Sequence, residues 1–175
     1  MNHGTFIIHT SIRAALICYA LTLLLLLMGF GSPRWRHLIR GLWTAGCVAF
    51  VAHVAAAFQY EHHWSNTAAI RSTAEQTKAL MGWAFGEGLY FSYLFMLLWM
   101  LDVVWYWVSP RTYEARSRWI QVGLHCYLFF IAFNGAVIFE SGVTRPVGIV
   151  VTIVLLGVLL FVRRTRSTGT HISQN

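Results

Sequence analysis

The chain has 175 residues, of which 57% are hydrophobic and only 11% are charged, and its formal net charge is +7. A soluble domain is roughly 25% charged, so this composition excludes an ordinary soluble domain and favours a membrane protein with short loops. Nine of the thirteen Lys and Arg residues fall in three gaps between apolar runs. Membrane topology and anionic lipid heads therefore account for the positive charge, and we expect no nucleic-acid partner.

Five apolar runs predict an all-α, polytopic bundle of five transmembrane helices. In chain order, the predicted helices cover about residues 12–31, 41–59, 81–108, 119–140 and 146–163. Each run is near the roughly 20 residues that a bilayer core requires, and the third is longer. Residues 1–166 are therefore predicted to form one membrane domain, and the polar residues 167–175 a disordered cytoplasmic tail.

The longest connection lies between the second and third predicted helices. Residues 67–80 carry Ala, Ile and Leu on one side, which predicts a short interfacial helix on the outer membrane surface. The sequence Ser-Thr-Ala-Glu at residues 72–75 within this segment matches a capping box.

The basic residues predict the orientation of the chain. They cluster after the first, third and fifth runs: Arg34, Arg36 and Arg40; Arg111, Arg116 and Arg118; Arg163, Arg164 and Arg166. Cytoplasmic loops of membrane proteins carry an excess of Lys and Arg. We therefore expect a multi-pass protein of the cell inner membrane with its N-terminus outside and its C-terminus in the cytoplasm.

Polar residues within the runs are the candidate functional residues, because ionisable groups are expensive in lipid. The predicted depths define an outer polar layer of His53, Glu87 and Asn134, with His62 and His63 above it. At the inner level, Asp102 and His125 are predicted to form a buried polar pair. This pair either only fastens the third helix to the fourth or forms a proton or ligand site. The three cysteines all lie inside apolar runs and do not indicate a disulfide framework.

The membrane histidines raise the hypothesis of a haem b or metal site in a membrane redox complex. Small residues surround His53, and haem requires only axial ligands and an apolar slot from the protein. His53 and His125 differ in predicted depth by roughly 9 Å, which disfavours one haem shared between them. A haem held by His53 with His62 or His63 stays open.

The chain shows no recognisable catalytic constellation, and the pattern Glu-His-His at residues 61–63 lacks the second His of a helical zinc site. The leading hypothesis is therefore a non-catalytic subunit or binding protein with buried polar sites. The alternatives are a proton- or ion-coupled transport component and a purely structural or assembly subunit. The expected partners are the lipid bilayer and other membrane subunits or a second copy of the chain.

Overall fold

The computed structural model describes residues 3–29, 32–139 and 144–172, and the chain is helical through nearly all of them. The helices are α1 (His3–Leu27), α2 (Pro33–Tyr60), α3 (Asn66–Met81), α4 (Gly88–Val108), α5 (Pro110–Glu114), α6 (Arg118–Phe133) and α7 (Thr144–Ile172). A π-helical turn, Asn134–Ile138, continues α6. Five of these segments are long and apolar enough to cross a membrane, namely α1, α2, α4, α6 with its π-turn, and α7. The predicted fold class is confirmed, including the short helix α3 between the second and third spans.

The first helix begins much earlier than predicted, at His3 instead of about residue 12. Close packing against α2 explains the extension. A Cβ on Gly4 would lie 2.6 Å from the Tyr60 ring, so only glycine lets the start of α1 approach the end of α2 this closely. Arg13 consequently lies inside a spanning helix.

The third predicted helix is shorter than its apolar run, because residues 82–87 form a turn and α4 begins at Gly88. Gly82 ends α3 in the left-handed conformation, with φ +81°, which favours glycine. The hydroxyl of Thr77 then accepts a hydrogen bond from the Phe85 N–H at 2.8 Å and holds the turn against α3. At the other end of α3, Ser65 caps the helix by accepting from the Ala68 N–H. The helix predicted over residues 67–80 therefore matches α3, but residues 72–75 lie inside α3 and do not cap its start.

The centre of the bundle is aromatic. Trp43 of α2 and Trp99 of α4 lie with ring centroids 5.0 Å apart, and Tyr19 of α1 contacts both rings. Gly46 makes this packing possible, since a Cβ there would be 2.9 Å from the Trp99 ring. The outward faces of the long helices carry exposed Leu, Ile, Val and Phe side chains, as expected for a surface in contact with lipid.

The last helix, α7, continues to Ile172, so residues 167–172 are helical, whereas residues 173–175 lie outside the described part of the chain. Disorder of residues 173–175 and the cytoplasmic location of the tail stay predictions. Cys18, Cys47 and Cys126 are all free thiols.

Candidate functional site

Polar side chains collect at one end of the bundle, where α2 begins, α4 ends and α6 begins. We call this the basic end, because it carries Arg36, Arg40 and Arg116. Pro110 starts the short helix α5 directly after α4, and the Tyr113 N–H donates to the Ser109 carbonyl. The chain therefore folds back against α4 and carries Tyr113 and Arg116 to the side chain of Asp102.

Asp102 is the centre of this site. Its Oδ1 accepts a hydrogen bond from Nη1 of Arg116 at 2.9 Å. Its Oδ2 accepts from the Tyr113 hydroxyl at 2.8 Å and from the Trp43 indole N–H at 2.9 Å. The Arg116 and Asp102 side chains are only 5% and 3% exposed, so this is a buried ion pair. We call Asp102, Trp43, Tyr113 and Arg116 the Asp102 network.

Aromatic contacts hold the donors of the network in place. The Tyr113 ring stacks on Tyr106 at a centroid distance of 4.2 Å, with an angle of 6° between the rings. The Arg116 guanidinium lies 3.7 Å from the centroid of the Tyr113 ring. Burial raises the pKa of Tyr113, and the negative charge of the Asp102 carboxylate raises it further. Tyr113 therefore stays protonated near neutral pH and remains a hydrogen-bond donor to the carboxylate.

Two further arginines lie near the network. The Arg40 guanidinium is 3.5 Å from the ring centroid of Trp107, and Arg36 pairs with Glu114 at 3.1 Å. The Arg36–Glu114 pair is about half exposed, so solvent screens it and it contributes little stability. The Asp102 network is thus the buried part of a larger polar surface at the basic end.

His125 lies beside the network without joining it. Its ring packs edge-on against Trp43, with centroids 5.4 Å apart, and both ring nitrogens are buried with no hydrogen-bond partner in the described structure. The predicted hydrogen-bonded pair of Asp102 and His125 is therefore not formed. The physical reason is competition, because a guanidinium provides a stronger, charge-assisted hydrogen bond to the carboxylate.

The predicted outer layer is not brought together as a site. The His53 Nδ1 lies 3.0 Å from the Ile8 carbonyl oxygen, so this ring nitrogen donates and joins α2 to α1. Glu87 is exposed at the residue that precedes α4, outside the span where it was expected. The Asn134 amide donates to the Phe130 carbonyl one turn earlier in the same helix, at 2.7 Å. No hydrogen bond joins these three residues within the described part of the chain.

The adjacent histidines of the loop after α2 have different surroundings. His62 packs edge-on against Phe58 at 5.6 Å, whereas His63 is exposed and has a left-handed backbone, with φ 48°. Among the described residues, no three His, Cys, Asp or Glu side chains are grouped closely enough to hold a metal ion.

Aromatic rings fill the core between His53 and His125. A chain of ring contacts leads from His53 through Phe50, Trp99 and Trp43 to His125, with centroid distances of 6.0, 6.1, 5.0 and 5.4 Å. His53 and Trp43 are ten residues apart on one helix, or about 15 Å along its axis. The two imidazoles thus lie at different depths with packed side chains between them. They do not fit one shared haem.

The sequence analysis did not predict the partners of Asp102. Depth alone pointed to His125, whereas Tyr113 and Arg116 reach Asp102 because the chain folds back through α5. A signal was present, since Arg116 belongs to the basic gap that follows the helix of Asp102. Comparison with protein-family models, curated proteins and solved structures finds no significant match. The functional argument therefore depends on the fold and on the contacts of its polar residues.

Proposed function

We propose that this multi-pass membrane protein is a non-catalytic subunit of a larger membrane assembly and that the Asp102 network has a structural role. One observation carries the structural role of the network. Asp102 is the only acidic residue within the five spans, and its oxygens accept hydrogen bonds from Arg116, Tyr113 and Trp43. A carboxylate that is buried, ion-paired and bonded on both oxygens fastens α4 to α2 and to the loop before α6.

The same contacts argue against the alternative of a proton-coupled carrier. A relay needs ionisable groups that exchange protons with polar neighbours along a path. His125 has no hydrogen-bond partner in the described structure, and His53 is bonded to the carbonyl of Ile8. Asp102, His53 and His125 are therefore not joined into a path.

The packing of α7 supports a subunit role. Only 6% of the residues in the most apolar part of its span are buried, compared with 17–22% in the other four spans. It contacts α1 and the π-turn and leaves most of its surface to lipid or to a neighbouring helix. Its outward residues include Ile153, which is 64% exposed.

The test is electrophoresis of the tagged protein under native conditions, after mild solubilisation of the native membrane. We expect the wild-type chain in a complex larger than the detergent-bound monomer. Ile153→Trp should disrupt that complex. The matched control is Val48→Trp on α2, where the side chain is 63% exposed, and it should leave the complex intact.

Proton flux into vesicles that contain the purified protein tests the alternative. A wild-type chain that migrates as a monomer and conducts protons until Asp102 is replaced by Asn would overturn the proposal. Absence of flux in both forms, with the complex retained, would support it.

A further inference from the structure

A membrane-facing cavity of about 450 Å³ lies between α1, the end of α6 with its π-turn, and α7. This volume is within the roughly 300–1,000 Å³ range of small-molecule sites. From α1, the lining residues Arg13, Leu16, Ile17 and Ala20 follow helical spacing and share one face. Val151 and other apolar residues form most of the opposite wall, so the cavity suits a hydrocarbon chain.

Arg13 is the one charged residue of the lining. It follows the first residue of α1 by ten positions, or about 15 Å along the helix, and its side chain is exposed. Within the described structure it forms no ion pair and donates no hydrogen bond. A charged side chain within a spanning helix normally has a partner of opposite charge or a polar environment. We therefore expect an anionic group of a ligand beside the Arg13 guanidinium.

The two other polar side chains of the lining, Tyr19 and Thr152, do not offer a competing contact. Tyr19 is 4% exposed, and its hydroxyl is buried away from the open cavity. Thr152 of the opposite wall donates to the Gly148 carbonyl at 2.8 Å. The positive charge of Arg13 is therefore the feature of the lining that selects a ligand.

We propose that this cavity binds one anionic phospholipid. The phosphate pairs with Arg13, and one acyl chain occupies the apolar space between α1 and α7. Charge complementarity selects this occupant, because a zwitterionic head group would bring a cation towards the unpaired guanidinium. The site is separate from the Asp102 network and does not depend on its role.

The experiment measures which lipids stay bound to the purified protein. The full chain is reconstituted into vesicles of equal amounts of phosphatidylglycerol and phosphatidylcholine, extracted into mild detergent and examined by native mass spectrometry. We expect one retained phosphatidylglycerol per chain. Arg13→Gln should reduce its retention about tenfold, as expected for loss of one charge-assisted hydrogen bond. Arg71→Gln, which removes an exposed charge from α3, is the matched control and should have no effect.

Two further variants keep the test decisive if one of them folds poorly. Ala20→Phe and Val151→Trp fill the cavity from its two opposite walls, and each should abolish retention. Equal retention of both lipids, or retention that Arg13→Gln does not change, would overturn the proposal. So would a dimer that Ala20→Phe dissociates, because the cavity would then be an interface between two copies.

Discussion

Replacing Arg116 by Gln is the sharpest perturbation of the Asp102 network. The substitution leaves a carboxylate that is 3% exposed with only the neutral donors Tyr113 and Trp43. Removing one partner of a buried ion pair typically destabilises a protein by about 3–5 kcal/mol, because the remaining charge is uncompensated. Since whole proteins are stable by only about 5–15 kcal/mol, this loss should be large in the free energy of unfolding.

The assay is reversible unfolding in mixed micelles with increasing sodium dodecyl sulfate, followed by tryptophan fluorescence. Arg36→Gln is the matched control, because it removes the same charge from the same end of the bundle. The Arg36–Glu114 pair is about half exposed, so its loss should change the free energy of unfolding by less than about 1 kcal/mol. Equal effects of the two substitutions would refute the reasoning.

Three further predictions test the packing and the polar contacts. Gly46→Ala should destabilise the bundle by about 1–3 kcal/mol because its Cβ would meet an indole carbon at 2.9 Å, whereas Gly41→Ala, with open space around it, should be neutral or stabilising in the same unfolding assay. The pKa of Tyr113 is raised by burial and by Asp102, so its stabilisation is complete below the unfolded pKa of about 10 and is lost as pH rises through the folded pKa. Unfolding at pH values of about 7 and about 11 should therefore differ less in Tyr113→Phe than in the wild type, and an unchanged difference would contradict this contribution. Thr77→Val should leave the Phe85 amide without its hydrogen-bond acceptor and lower the free energy of unfolding by about 1–3 kcal/mol. It should also speed hydrogen exchange in the turn after α3, and unchanged exchange there would show that the hydrogen bond is unimportant.

The spans could be predicted because length and hydrophobicity alone decide which segments tolerate lipid. Their ends could not, because tertiary packing decides them. The start of α1 is held by the fit of Gly4 against Tyr60, which no local pattern indicates. Apart from Glu87, the turn at residues 82–87 is apolar in sequence and looks like part of a span, yet Gly82 ends α3 and Thr77 holds the turn.

Depth along the helices was enough to place Asp102 and His125 near one another, but it could not decide their hydrogen bonds. Those depend on the direction in which each side chain points and on the return of the chain through α5. The result is a carboxylate bonded to Arg116 and a histidine without a hydrogen-bond partner in the described structure. His53 was likewise predicted within a span, but its hydrogen-bond acceptor could not be predicted. That acceptor is the backbone carbonyl of Ile8, and every residue has such a group.

The coupling energy between Asp102 and Arg116 tests the structural role of the network most directly. It is obtained from a double-mutant cycle of Asp102→Asn and Arg116→Gln, with a parallel cycle of Asp102→Asn and His125→Leu. We predict a coupling of about 2–3 kcal/mol for the first cycle and less than about 0.5 kcal/mol for the second. A coupling with His125 that equals or exceeds the coupling with Arg116 would contradict the account.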